Sequence, residues 1–201
     1  MVDRRGWWYG PATIDGLAGS GKSTVAAVLS GGVIPVLEVG GLYRRLARRA
    51  PATMELLPVD QSGDWVTRYL DGAAPSEPDL DGDLDRLLAV TQDHRIRRAV
   101  AHYQVIWASR SEQSIVVGRV GGHLFPTAEV KLFLSVDPRE QNRRFGDERV
   151  HGARLRDEAD RHREHDPVHP AEGAARIDTS GRTPEEVVAI IDDLVRRRSR
   201  Q

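Results

Sequence analysis

The sequence predicts an α/β protein built on a doubly wound, five-stranded parallel sheet flanked by helices. Short apolar runs of the buried-strand type recur along the chain, helix-compatible segments alternate with them, and glycine-rich turns join the first two strands to the helices that follow. The chain has 201 residues, 39% of them hydrophobic and 29% charged, and it has no cysteine. That composition fits one domain with room for inserted subdomains and excludes a disulfide-stapled secreted module.

The first strand is Ala12-Thr13-Ile14-Asp15, which enters a glycine-rich turn. Lys22 to Ser30 continues as a helix, with Val25, Ala26, Val28 and Leu29 at suitable spacing. The second strand, Val33 to Glu38, contains Pro35 and is therefore expected at an edge or as an irregular strand. It runs into Gly40-Gly41 and a basic helix, Leu42 to Arg49. Ser114 to Val117 and Val130 to Leu134 give the third and fourth strands, and Ala175 to Asp178 the fifth. The last helix has a marked start. Thr183 is its cap, Pro184 suits the first helical position, and Glu186 completes a capping box. Trp7, Trp8 and Tyr9 read as cover for the end of the first strand, and Arg196 to Arg200 as a frayed, solvated helix end.

Two stretches break this rhythm. Pro51 to Asp83 is rich in Pro, Gly and Asp, and a helical pattern follows from Leu84 to Ile106. We read about 51–106 as an insert in a single domain whose core is about 10–50 and 107–201. Arg143 to His165 is dominated by Arg, Asp, Glu and His, too polar for a core helix, and is a candidate lid over about 143–165.

The 29 basic residues face 30 acidic ones, a formal net charge of -1, so no chain-wide positive field exists to hold nucleic acid. No stretch approaches the roughly 18 apolar residues of a membrane span, and no apolar run follows Arg4-Arg5, so a cytoplasmic protein without membrane partners is expected. Among His162, His165 and His169, only the last two have i, i+4 spacing, and Pro167 between them breaks the helix that a metal site would need.

Gly16-Leu17-Ala18-Gly19-Ser20-Gly21-Lys22-Ser23 fits G-x-x-x-x-G-K-[ST] at every fixed position and lies between a strand and a helix, the context that motif requires. Its glycines allow positive φ and free backbone N–H groups to surround phosphate oxygens at a helix N-terminus. Gly16, Ala18, Gly19, Ser20, Gly21, Lys22, Ser23 and Thr24 are the expected ATP-binding residues, with Lys22 reaching the β/γ-phosphates and the Ser23 hydroxyl as a ligand for Mg²⁺. A plain glycine turn capped by Ser20 or Ser23 would not need the lysine. The fold expected is accordingly of the P-loop NTPase type.

Thr13-Ile14-Asp15-Gly16, the loop, and Ser23-Thr24-Val25-Ala26 resemble the opening of bacterial cytidylate kinases, which are nucleoside monophosphate kinases. Gly40-Gly41-Leu42-Tyr43-Arg44 is similar to that family's Asp-(Thr/Ser)-Gly-Ala-Met-Tyr-Arg segment. Gly118-Arg119 before Phe125-Pro126 resembles its Gly-Arg-Asp stretch before a Phe-Pro turn, and Arg156 to Arg163 has the spacing of its lid motif. Ile177 to Ser180 resembles its closing strand. The resemblance implies an acceptor-binding insert and a short lid, with ATP and Mg²⁺ as cofactors and a small nucleotide as partner, the protein being a monomer or small homo-oligomer. It implies that Arg44, Arg97 and Arg119 hold the acceptor, with Tyr43 and Glu38 beside it. Arg156 and Arg163 would close on the transferring group, Asp160 would contact the acceptor ribose or orient an arginine, and Arg143 or Arg144 would approach the donor phosphates. Arginines suit that task, because their planar forks bind phosphate oxygens bidentately. Arg156, Asp160 and Arg163 also share one helix face.

The chain departs from the family where the family reads its base. Val120 stands for the aspartate after Gly-Arg, Val39 for a small hydroxyl residue, and Leu88 near a position that is usually serine. Phosphate handling is therefore expected to be kept and base recognition altered. Glu38 and Asp15 are each open to two roles, serving magnesium or a proton on one side and closing a turn on the other. Two further readings of the chain stand beside phosphate-to-phosphate transfer. One is a kinase on the same scaffold whose acceptor is a hydroxyl of a small metabolite or antibiotic, and the other is a nucleotide-binding switch without transfer.

Overall fold

A computed structural model of the chain describes residues 4, 6–54, 66, 67, 69–71, 84–145, 158 and 169–198. The elements follow in the order β1 (Gly10–Gly16), α1 (Lys22–Ser30), β2 (Val36–Glu38), α2 (Val39–Met54), α3 (Leu84–Gln92), α4 (His94–Ala108), β3 (Gln113–Val117), α5 (Gly121–Leu124), β4 (Lys131–Ser135), α6 (Pro138–Phe145), β5 (Ala175–Asp178) and α7 (Pro184–Arg198). The chain divides into two compact units, one of residues 1–38 and 108–201 and the other of residues 39–107. No helix among the described residues is long and apolar enough to cross a membrane.

The first unit holds a five-stranded sheet in the order β2-β3-β1-β4-β5, every neighbouring pair parallel. β1 is central, and its residues Ala12 to Asp15 are all buried, as a parallel strand covered on both faces requires. Ile14, Ile115 and Leu134 from three adjacent strands meet Val25 and Leu29 of α1 and Ile191 of α7 in the core, where Trp8 is also enclosed. The fold class read from the sequence is thus the one observed, with no strand end shifted by more than three residues. β2 begins only after Pro35, whose carbonyl accepts the Ile115 N–H, and it is an edge strand.

α1 starts at Gly21 (φ 82°), which has no side chain to cap it, and ends at Gly31 (φ 58°), whose N–H returns to the Val28 carbonyl. α7 starts as the capping box demands. Thr183 N–H donates to Glu186 Oε2 at 2.8 Å and Glu186 N–H to Thr183 Oγ1 at 3.2 Å. The arginine-rich end of α7 is not merely solvated. Arg196 lies over the Trp7 ring at 4.9 Å, and Arg198 donates to the carbonyls of Glu129 and Gly173 at 2.7 and 3.3 Å.

The second unit differs from the reading in two places. α2 starts at Val39 directly after β2, so Gly40 and Gly41 are helical rather than a turn, and Pro51 lies within the helix. The compact unit that contains this helix begins at Val39, directly after Glu38. Val39, Leu42 and Leu46 are the buried stripe that holds this helix from its first residue. The pattern from Leu84 to Ile106 is two helices. Asp93 divides them, its Oδ1 accepting the N–H of Arg95 at 2.8 Å and of Ile96 at 3.4 Å as a cap for α4. The Arg95 guanidinium also donates to Asp93, and it holds that carboxyl below the usual carboxylate range.

One buried carboxylate organises the loop after β3. Asp15, 4% exposed, accepts the N–H of Gly121 at 2.9 Å on Oδ1 and that of Gly122 at 2.6 Å on Oδ2. These are the first two amides of α5, and both glycines are closely packed. A Cβ on Gly121 would lie 3.1 Å from Thr13 Cβ and 3.2 Å from Asp15 Oδ1, and one on Gly122 would lie 2.9 Å from Ala171 Cβ. Burial pushes the Asp15 pKa above 3.8, with the two amides and Lys22 opposing that rise.

Two tests follow from this packing. Arg4, which is buried, donates from Nε and Nη2 to the two carboxylate oxygens of Asp192 at 2.6 and 2.8 Å. Arg4→Met leaves that carboxylate without its partner and is expected to lower stability by about 2–3 kcal/mol in urea unfolding at pH 7, part of which the double variant with Asp192→Leu recovers. The raised pKa of Asp15 means that the folded protein holds its proton more tightly than the unfolded chain does. Its contribution to stability is therefore complete below pH 3.8 and is lost as pH rises through the folded-state value. The stability of the wild type relative to Asp15→Asn, which cannot titrate, is expected to fall as pH is raised above about 4. A difference that rises over that range would contradict the assignment.

Candidate functional site

The loop between β1 and α1 lies at the carboxyl end of the central strand, where parallel sheets place their ligands. Its path depends on Gly16. That residue has φ 143°, and a Cβ there would lie 2.1 Å from the Leu134 carbonyl oxygen of β4. Gly19 (φ 73°) and Gly21 (φ 82°) also take positive φ, while among the described residues none other than glycine does. That alternation around Ser20 makes a concave run of backbone amides, leading into the uncapped N-terminus of α1.

The side chains of the loop do not cap the helix. Ser20 Oγ, buried, donates to Leu17 O at 2.9 Å, and Ser23 Oγ donates to Glu38 Oε2 at 3.0 Å. Lys22 Nζ lies 2.6 Å from Leu17 O and 3.4 Å from Ser20 Oγ, folded over its own loop. The serine-capped turn weighed from the sequence is therefore not what forms. Glu38, the last residue of β2, stands beside Ser23, so a hydroxyl and a carboxylate oxygen lie together next to the loop, the hard-oxygen donor set that Mg²⁺ takes. Asp15 is committed elsewhere, both its oxygens being occupied by the amides of α5.

Arg144 of α6 reaches this loop. Its Nη1 donates to Gly19 O at 3.1 Å and to Thr179 Oγ1 at 3.2 Å, its Nη2 to Thr179 O at 2.8 Å, and its Nε to Glu140 Oε1 at 3.1 Å. Arg143 points differently. It pairs with both oxygens of Glu140 at 2.8 and 2.7 Å and is largely exposed. The two arginines hold the Glu140 carboxyl below its ordinary range, and the Ser180 hydroxyl and amide do the same for Asp178.

Two polar residues at the loop were not identified from the sequence. Gln141 Nε2 donates to Ala18 O at 2.7 Å, and the Thr179 hydroxyl lies 3.1 Å from Ser20 O and 3.0 Å from Ser135 O. α6 reads Pro138-Arg139-Glu140-Gln141-Asn142-Arg143-Arg144-Phe145, with no apolar stripe to mark its inward face, so no local signal singles out Gln141. Thr179 falls in the Ile177–Ser180 stretch that resembles a closing strand, which gives it no role of its own.

Of the residues expected to bind the acceptor, Arg119 follows β3 two positions beyond its end, on a loop whose Gly118 N–H donates to Ile14 O at 3.0 Å. This sets it beside the strand that leads into the phosphate loop. Tyr43, Arg44 and Arg97 belong to the second unit. Tyr43 and Arg44 are half-buried on α2, and Arg97 Nη1 donates to the carbonyls of Gln92 and Thr91 at 3.0 and 3.4 Å, closing the end of α3. Arg156, Asp160 and Arg163 lie outside the described residues. Among the described residues no group of His, Asp or Glu forms a metal cluster by itself.

Comparison with known proteins agrees with this geometry. The family model described as cytidylate kinase matches residues 85–197. The cytidylate kinase of Acidiphilium cryptum is 35% identical, the match covering 92% of this chain and 94% of that one, and that of Aquifex aeolicus is 31% identical over 92% and 96%. Among solved structures, the shikimate kinase of Aquifex aeolicus superposes with a TM-score of 0.51 at 14% identity, covering 94% of this chain and 98% of that one. TT1252 from Thermus thermophilus gives 0.51 at 21% identity over 92% and 96%. These two carry the fold alone, the P-loop NTPase sheet with its helices. With the family model spanning more than half of the chain and relatives above 30% identity along nearly all of it, the chain belongs to the cytidylate kinase family of nucleoside monophosphate kinases and is a phosphotransferase.

Proposed function

We propose that this protein transfers the γ-phosphate of ATP, with Mg²⁺, to a pyrimidine nucleoside monophosphate, CMP or a modified relative, giving the diphosphate and ADP. The observation that carries the proposal is the run of amides from Ala18 to Thr24 above an uncapped helix N-terminus, with Lys22, Ser23 and Glu38 around it. Transfer between phosphates gathers several negative charges with little covalent work for the protein, so catalysis rests on neutralising and aligning them. The loop amides bind the donor phosphates, and Lys22 exchanges the Leu17 carbonyl for their β/γ oxygens. Ser23 and Glu38 would hold Mg²⁺, directly or through water, and the ion supplies charge neutralisation to the phosphate oxygens.

Arg144 stands at the Gly19 edge of the loop and is assigned to the donor phosphates. Arg119 is assigned to the acceptor phosphate, together with Tyr43, Arg44 and Arg97 of the second unit. The lid role of 143–165, with Arg156 and Arg163 on the transferring group and Asp160 at the acceptor sugar, rests on the family motif. Family membership favours a phosphate acceptor over the hydroxyl acceptor weighed as the other reading.

Coupled release of ADP from ATP and Mg²⁺ against CMP, dCMP, UMP, AMP and GMP tests this reading. Turnover is expected with CMP or dCMP, and Lys22→Ala is expected to lower it by about a hundredfold or more. Intact ATP binding with no turnover of any of the five would refute the proposal for these acceptors.

A further inference from the structure

Three consecutive carbonyls of the phosphate loop are held from outside by side chains of two elements more than 100 residues away. Gln141 serves Ala18 O, Arg144 serves Gly19 O, and the Thr179 hydroxyl serves Ser20 O. The Thr179 hydroxyl lies between two carbonyls, 3.1 Å from Ser20 O and 3.0 Å from Ser135 O, and the Ser135 carbonyl accepts the Thr179 N–H at 2.9 Å as well. The three donors are joined to one another. Arg144 Nη1 donates to the Thr179 hydroxyl, Gln141 precedes Arg144 by three positions on α6, and the start of α6 is tied to the turn after β5 where Asp137 N–H donates to Ser180 Oγ at 2.7 Å. Thr179 is 2% exposed and Gln141 9%, so both bonds are shielded from competing water.

In a trans peptide the carbonyl of one residue and the N–H of the next point in opposite directions. Fixing the carbonyls of Ala18, Gly19 and Ser20 toward α6 and Thr179 therefore turns the N–H groups of Gly19, Ser20 and Gly21 the other way, those of Gly19 and Gly21 into the concave side of the loop and that of Ser20 toward Leu17 O at 3.4 Å. Positive φ at Gly19 and Gly21 permits this arrangement but does not enforce it, because a glycine visits several conformations at similar cost. We infer that Gln141 and Thr179 are positioning residues for the donor nucleotide: they form a latch that keeps the phosphate-binding amides turned inward before ATP arrives. A latch acting on the free protein removes an ordering cost from binding, and its loss appears in affinity for ATP rather than for the acceptor. This inference rests on the loop being the ATP site, and it does not depend on which acceptor is used.

The test is the dissociation constant of Mg²⁺-ATP measured by calorimetry without any acceptor, together with thermal unfolding and the KM for the acceptor. Thr179→Val keeps the shape and removes the donor, and is expected to weaken ATP binding by about tenfold, the worth of one buried hydrogen bond. Thr179→Ser, which keeps the hydroxyl, is expected to bind within about threefold of wild type, while the acceptor KM stays unchanged in both. Gln141→Leu is expected to weaken ATP binding less than Gln141→Glu, which sets a carboxylate against the Ala18 carbonyl. Wild-type ATP affinity in Thr179→Val and Gln141→Leu would overturn the latch, as would equal losses in Thr179→Ser and Thr179→Val that follow thermal stability. A wild type that binds ATP but phosphorylates no nucleotide would sink the proposed reaction and leave the latch standing. Normal ATP binding in the variants of an active enzyme would do the reverse.

Discussion

The active loop depends on one constraint: a backbone with carbonyls as well as amides must present only its amides to an anion. A single peptide can be turned by its own dihedrals, but a run of them has to be turned and then held. Here the holding is done by the rest of the sheet. Because β1 lies between β3 and β4, the loop after β1 emerges beside the end of β4, and the Leu134 carbonyl leaves space only for a glycine at position 16. β5 lies beyond β4, so Thr179 at its end is close enough to reach Ser20. The helix after β4 brings Gln141 and Arg144 to the same place. The strand order is therefore part of the phosphate site, since another order would put other residues against the loop carbonyls.

What was legible in the sequence follows from this arrangement. Strands buried on both faces are continuous apolar runs, and Ala12 to Asp15, Ser114 to Val117 and Val130 to Leu134 were readable for that reason. The phosphate loop was readable because its glycines, Lys22 and Ser23 are contiguous. The start of α2 was not, because the glycines that suggested a turn are absorbed into a helix whose anchor is the buried face of Val39, Leu42 and Leu46. The break at Asp93 is one side chain competing for two backbone amides within an unbroken periodic pattern. Arg196 and Arg198 read as solvated charges, since their partners, Trp7, Glu129 and Gly173, are remote in sequence.

The same limit governs the site. Gln141 and Thr179 act on carbonyls 123 and 159 positions away, and a polar residue that faces inward from a polar helix leaves no periodicity to detect. Asp15 could be read as a ligand or a turn carboxylate, and its partners turned out to be the amides of Gly121 and Gly122. The Gly-Gly pair in that loop has its reason in close packing around the carboxylate: a Cβ at Gly121 would crowd Thr13 and Asp15, and one at Gly122 would meet Ala171. The pair was visible in the sequence, and its meaning lay 106 and 107 residues upstream.

That clamp also bears on the departure at Val120. Val120 is the residue before α5 and makes no side-chain cap to it. In many helices a valine there would leave the first amides unserved, and an aspartate would be preferred. In this protein the first two amides are already held by Asp15, so α5 keeps its N-terminal partners whatever side chain stands at position 120. A valine at position 120 is therefore compatible with the integrity of the loop after β3. Under the proposed function Arg119, its neighbour, keeps the charge assigned to the acceptor phosphate, while Val120 offers no acceptor to a hydrogen-bond donor on a base. On that proposal the site retains its grip on phosphate and loses discrimination at the base first, because rejection of a wrong base depends on polar groups that the wrong base leaves unpaired.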